Sequence, residues 1–324
     1  MRIETLFGII ILFILTIPQG CLRSDYIKLG DPTIFFSQGT YYLYGTGSKN
    51  GFEVYISKDK KHWSGSAGVE NGFALRKEDV YGNHGFWAPQ VFQHKNMFYL
   101  AYTANEHVAI AQSESPLGPF VQKEKKPIQS NFKQIDPYVF IDAGKIYLYY
   151  VKVANGGNRI FVSELNSDFS ALKSETSVQC IEATKHWENV ENANWSVIEG
   201  PSVFKLNSKY YLIYSANHFK SPDYSVGYAV ADSPMGPWEK CNENPILNRQ
   251  LVNFNGTGHG DIFKDADGWN YVFHTHFSNK KVNPRKTAII RAEWSENYQK
   301  AFKKLNFDPE SFYYLSANKK SNND

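Results

Sequence analysis

The chain has 324 residues, a formal net charge of +3 and 16% aromatic side chains, with 21 tyrosines and 23 phenylalanines. So small a charge, with no basic run, excludes nucleic acid as a partner on electrostatic grounds. Tyrosine and phenylalanine suit pleated, half-buried strands, so the composition points to an all-β fold large enough to close on itself as one domain.

The first element in chain order is a leader. Arg2 precedes an apolar stretch over residues 6–17, and Pro18-Gln19-Gly20-Cys21 follows. Twelve apolar residues fall short of the roughly 20 that span a bilayer, and they suit the apolar region of a secretory signal. Residues 1–20 are therefore expected to be a signal peptide and the protein to be exported. Gly20-Cys21 resembles the cleavage point of bacterial lipoproteins, with Cys21 as the lipidated residue. A lipid there would anchor the protein at a periplasmic or cell-surface membrane; ordinary secretion is the alternative.

Beyond the leader, one pattern recurs five times. The copies are DPTIFFSQGTYYLY from Asp31, APQVFQHKNMFYLAY from Ala88, DPYVFIDAGKIYLYY from Asp136, GPSVFKLNSKYYLIY from Gly200 and HGDIFKDADGWNYVFH from His259. Aligned on Phe35, Phe92, Phe140, Phe204 and Phe263, they step by 57, 48, 64 and 59 residues. Each copy reads as a hairpin: an apolar strand (33–36, 138–141), a Gly, Asn or Asp turn, and an aromatic strand (41–44, 98–102, 146–150, 210–214, 271–274). A third strand of small and apolar residues follows at 52–57, 107–113, 159–164, 225–232 and 287–292, and a fourth is weaker in sequence. Strand repeats of this length predict a radial array: a five-bladed β-propeller of four-stranded antiparallel blades around a central channel. Residues 25–317 would form that one domain, and the polar residues 318–324 a disordered tail. The longest insertion, 183–195, lies directly before Glu199; it is either a functional loop or a surface loop that packs its two tryptophans. Cys180 and Cys241 are too few for a disulfide framework and read as unpaired.

Aligned positions in a radial array converge on one axis. The slot four residues before each phenylalanine holds Asp31, Ala88, Asp136, Gly200 and His259, and Glu199 precedes Gly200. Three acids and a histidine would thus meet at one mouth. Cleaving a glycosidic bond needs two carboxyls in different protonation states, one to protonate the leaving oxygen and one to attack or to activate water. A third anion keeps the proton donor protonated, since like charges disfavour ionisation. Singly, Asp-Pro is an ordinary turn pair, and Ala88 shows that the turn does not require an acid. Recurrence at matched positions is what points to chemistry.

The set Asp31-Pro32, Trp87-Ala88-Pro89, Ile135-Asp136-Pro137, Glu199-Gly200-Pro201 and Gly258-His259-Gly260 resembles that of family 43 glycoside hydrolases, in the same order and over nearly the whole mature chain. The resemblance implies a five-bladed β-propeller that hydrolyses O-glycosides with inversion. It implies Asp31 as general base, Glu199 as general acid and Asp136 as the residue that tunes and orients the acid. It also implies a sugar-binding role for Trp87 with Phe86 at the substrate pocket; the alternative is that Trp87 seals its blade. Arg285 would donate to sugar hydroxyls or to Asp136, or else be a solvated turn arginine. His259 would fill the channel, bind a cation, or hold water around one. No cofactor is required, and a structural calcium in the channel is one expectation. His274 reads as structural.

The implied substrates are arabinose- or xylose-containing plant cell-wall glycans. Exo action, as an α-L-arabinofuranosidase or β-xylosidase, is the leading expectation. The alternatives are an endo-1,5-α-L-arabinanase and, from another class, a non-catalytic sugar-binding propeller.

Overall fold

The computed structural model describes residues 24–297 and 302–318. The leader and Cys21 lie outside these residues, as do 319–324. Five strands carry the aligned slots: Gly30–Ser37, Trp87–His94, Gln134–Asp142, Ser196–Leu206 and Gly258–Asp265. Each packs against the next, and the fifth packs against the first, so the inner strands close a ring. Each pairs antiparallel with the aromatic strand that follows it in sequence.

The ring is held together between its units. Among the described residues five hydrophobic clusters form, and each draws side chains from two adjacent units. Tyr44 and Phe52 meet Leu100 and Tyr102, and Phe92 and Ala101 meet Val139 and Leu148. Tyr149 and Val151 meet Leu212, and Tyr211 and Tyr228 meet Tyr271 and Phe273. Leu43 and Ile34 meet Val272 and Phe263, closing the circle. Burial of whole tyrosine and phenylalanine side chains at each junction supplies roughly 1.5–3 kcal/mol per residue, which explains the aromatic-rich composition.

The hydrogen-bonded sheets do not divide into equal units. They contain six, three, eight, four and two strands. The outer edges are where they differ. Trp63–Ser64 and Glu239–Lys240 are two-residue strands. In the second unit a single bridge, Gln112 to Val121, stands where a fourth strand would run. The third and fourth units are joined by a short parallel pairing of Gly157 with Ser196 and Asn158 with Val197. Asn318, assigned to a tail from sequence, instead ends the strand Ser316–Asn318. That strand lies between Ser24–Tyr26 and Trp63–Ser64, so chain segments near both ends share the first unit's sheet. Cys180 and Cys241 are both free thiols.

Candidate active site

The slot residues sit inside their strands, at a β-bulge. In all five strands the ladder register shifts at this point. The slot backbone is left-handed in every copy: φ is 48° at Asp31, 45° at Ala88, 54° at Asp136, 62° at Gly200 and 39° at His259. For the four non-glycine residues this conformation costs on the order of 1 kcal/mol each. Pro32, Pro89, Pro137 and Pro201 follow the slot where the ladder is interrupted, so their missing N–H breaks no pairing. In the fifth copy Gly260 takes that place, because a Cβ there would lie 1.8 Å from the Val272 carbonyl oxygen. The bulge re-aims one side chain per strand toward the axis.

The carboxyls do converge. His259 Nδ1 lies 3.3 Å from Asp31 Oδ1 and 3.9 Å from Asp136 Oδ2. Asp136 Oδ2 accepts the Gly200 N–H at 3.2 Å, and Glu199 is the preceding residue. Two residues further along four of the strands, Thr33, Gln90, Tyr138 and Asp261 line, with Asp31, Ala88, Asp136 and His259, a cavity of ≈ 20 Å³, space for about one water. Asp261 closes its floor by accepting from Thr33 at 2.7 Å and Ser202 at 2.6 Å.

Asp31 and Glu199 have opposite surroundings. Burial alone would raise the Asp31 pKa. The Arg285 guanidinium, through a two-pronged hydrogen bond of 2.6 and 3.2 Å, opposes it most strongly, and together with His259, His274 and Thr46 it holds the carboxyl well below the usual carboxylate range. Glu199 feels Arg285 only weakly, as the smallest of the influences on it. Burial pushes it up, the Tyr224 hydroxyl opposes this by donating to Oε1 at 2.8 Å, and the Asp31 charge adds to the rise, leaving Glu199 at about 7. Asp136 is also raised, by burial first and then by Glu199 and Asp31. Two carboxyls that repel each other in this way bind protons as a pair. His259 and His274 are held below their ordinary values by burial, so both rings are neutral near pH 7.

Several sequence expectations change here. Arg285 binds Asp31 rather than Asp136, and it is no solvated turn residue: its side chain is 12% exposed and lies over the Phe219 ring. Phe86 is 2% exposed and stacks on Tyr102 inside a core cluster. It has no ring face to offer a sugar, so its substrate-contact role is replaced by packing. Trp87 is 39% exposed and remains available to a ligand. His274 is fully buried, and its Nδ1 accepts the Asp31 N–H at 3.1 Å. Among the described residues no three His, Cys, Asp or Glu side chains are grouped to hold a metal. His259 contributes one nitrogen, whereas calcium takes six to eight oxygens. A histidine nitrogen alone does not make a calcium site, and no step of the reaction is routed through one.

Sequence reasoning missed Tyr224, Asn158 and Trp195. Asn158 Nδ2 donates to Glu199 Oε2 at 3.4 Å, and its Oδ1 accepts from Trp195 Nε1 at 3.0 Å. The indole thereby fixes which end of the amide faces the acid. Trp195 ends the 183–195 insertion and is 45% exposed. The other tryptophan of that loop, Trp187, packs against Tyr214. Fully buried Glu188 pins the loop by accepting from the Thr184 and Lys185 N–H groups and from Tyr214, and by pairing with Lys240.

Gly30 offers a direct check on Arg285. A Cβ at this position would fall 1.9 Å from the guanidinium carbon. Gly30→Ala is therefore expected to push Arg285 off Asp31. The acidic limb of the pH–rate profile then moves up by about one pH unit or more, read from kcat/KM against pH. An unchanged limb would mean that the arginine does not set the Asp31 charge.

A ring of strands that brings one carboxyl held low by a guanidinium and one raised by burial to the same mouth has the pair of groups an O-glycoside hydrolase needs. The chain matches the family model for glycosyl hydrolases family 43 over residues 27–298, and it belongs to that family. A solved structure described as an endo-1,4-β-xylanase from Bacteroides thetaiotaomicron VPI-5482 is 40% identical, with a TM-score of 0.82, covering 92% of this chain and 99% of that one. The β-D-galactofuranosidase xynD of Aspergillus niger is 25% identical over 292 residues, 82% of this chain and 79% of the relative. The extracellular exo-α-(1→5)-L-arabinofuranosidase ArbA of Cellvibrio japonicus is 31% identical over 120 residues, and that alignment spans 36% of this chain and 33% of the relative.

Proposed function

We propose that the protein is an exo-acting, inverting glycosidase that releases arabinofuranosyl or xylosyl units from plant cell-wall glycans, working as a five-bladed propeller. The observation that carries this reading is the pairing of Asp31 with the Arg285 guanidinium and the burial of Glu199 against the Tyr224 hydroxyl at one mouth, which set the proton affinities of the two carboxyls apart. Glu199 gives its proton to the glycosidic oxygen as the bond to the anomeric carbon breaks. Asp31 takes a proton from the water that attacks that carbon from the opposite face. Inversion requires the two carboxyls to stand about 6.5–9.5 Å apart, with room for the water. Trp87 and Trp195, both exposed, offer ring faces to the sugar. The pinned 183–195 loop stands beside the acid and supports attack at a chain end. Polymeric substrates do not cross membranes, so export through residues 1–20, with or without a lipid on Cys21, belongs to the same proposal.

Endo action has specific support: the 40%-identical solved structure is described as an endo-1,4-β-xylanase, and some relatives as probable arabinan endo-1,5-α-L-arabinosidases. The two readings separate on products. Incubation with xylan, xylo-oligosaccharides and linear arabinan, followed by chromatography at early times, is expected to give monosaccharide from the first minutes. A ladder of oligomers without monosaccharide would establish the endo reading. No turnover of any of these, or of aryl arabinofuranosides and xylosides, would leave a sugar-binding module.

A further inference from the structure

The five left-handed slots share a second feature. In four of them the slot N–H is taken by a side chain from the aromatic strand of the preceding unit. Ala88 N–H donates to Thr46 Oγ1 at 2.9 Å, Asp136 N–H to Thr103 Oγ1 at 2.9 Å, His259 N–H to Ser215 Oγ at 2.8 Å and Asp31 N–H to His274 Nδ1 at 3.1 Å. All four acceptors occupy one register position. Thr46 pairs with Gly30, Thr103 with Trp87, Ser215 with Glu199 and His274 with Gly258, in each case the residue just before the slot. The acceptors form a latch between neighbouring units.

The junction before Gly200 breaks the rule. Its register position, opposite Ile135, is Val151, which is fully buried and has no acceptor atom. The Gly200 N–H goes to Asp136 Oδ2 instead. This is the junction next to the acid, and the acceptor is a carboxyl facing Glu199, Asp31, His259 and Arg285.

We propose that Val151 is a positioning residue: by withholding the latch, it leaves the Gly200 N–H to Asp136 and so directs the proton shared by the two carboxyls onto Glu199. A backbone donor aimed at a carboxylate favours its charged form. The N–H on Asp136 works against the burial and neighbouring carboxylates that raise this residue, and so shifts the shared proton toward the acid. A hydroxyl at position 151 would take the N–H and make Asp136 the better proton holder, and Glu199 would lose its proton. The effect on catalysis rests on the glycosidase reading; the latch itself does not.

The test uses Val151→Thr, which changes shape little but adds a hydroxyl. Melting is measured for the parent, Val151→Thr, Asp136→Ala and the double variant. Removing the carboxyl leaves a buried N–H without a partner, so Val151→Thr is expected to raise Tm by about 2 °C or more in the Asp136→Ala background relative to its effect in the parent. In an Asp136→Asn background, where an amide oxygen still accepts, most of that difference should vanish. Equal effects in all backgrounds would overturn the latch. For catalysis, Val151→Thr is expected to lower kcat about 10-fold on an aryl glycoside with a poor leaving group, with a smaller loss on a dinitrophenyl glycoside, which departs without a proton. A non-additive Tm with an unchanged leaving-group ratio would overturn the role in proton placement.

Discussion

Glu199→Gln is expected to lower kcat about 100-fold or more on a glycoside with a poor leaving group, and far less on a dinitrophenyl glycoside. The amide keeps the contacts to Tyr224 and Asn158 but has no proton to give to the glycosidic oxygen. A leaving group that departs as a stable anion does not need that proton, so the size of the loss should track leaving-group pKa. Steady-state kinetics over a series of aryl glycosides measures this. The native enzyme should also show a basic limb in kcat/KM. The acid must be protonated, Glu199 is pushed up to about 7, and activity therefore falls as pH rises through that value. Glu199→Gln should lack the limb. An equal loss on every leaving group would place the proton donor elsewhere.

Asp31→Asn should cost about 100-fold or more with no relief from a better leaving group, because water activation is needed in every turnover. Burial raises this carboxyl, and Arg285, with smaller help from His259, His274 and Thr46, more than offsets it. Two consequences follow. The base is ionised at every working pH, and the arginine also weakens it as a proton acceptor. The second effect is offset by placement, since an attacking water held against Asp31 reacts in an effectively unimolecular step. The variant also strands Arg285, which has 12% of its side chain exposed and pairs with Asp31. Leaving a buried cation without its partner is destabilising by roughly 3–5 kcal/mol. Thermal melting beside the kinetics separates lost chemistry from lost folding. Asp31→Asn with native-like kcat would remove Asp31 from the reaction.

Much of this arrangement could be read from the repeat. The phenylalanine alignment located all five inner strands and put Asp31, Asp136 and His259 in one slot, with Glu199 beside it. The short Gly, Asn or Asp turn of each hairpin leaves little freedom in register. The bulge was not legible, because alanine and aspartate at positive φ have no sequence signature beyond the proline that follows, and His259 lacks even that, with Gly260 in its place. Arg285 was placed on the right strand end but beside the wrong acid. A closed ring puts the fifth unit next to the first, so it meets Asp31. Phe86 looked like a partner of Trp87, but adjacent residues on an extended chain face opposite sides, and only one of the pair could face the ligand. Tyr224, Asn158 and Trp195 come from three separate segments and share no local pattern. Their roles emerge from the parallel pairing of Asn158 with Val197 and from the loop before the strand Ser225–Ala231.

Catalysis depends on two carboxyls at one mouth, one ionised and one protonated. Carbon-13 NMR of protein labelled at the Glu and Asp side-chain carboxyls, titrated with pH, measures this directly. One glutamate signal, absent in Glu199→Gln, should titrate with a midpoint at about 7, while the Asp31 signal should stay that of a carboxylate through the whole acidic range in which the protein remains folded. A Glu199 signal that titrates together with the ordinary surface carboxylates, near 4.3, would contradict it.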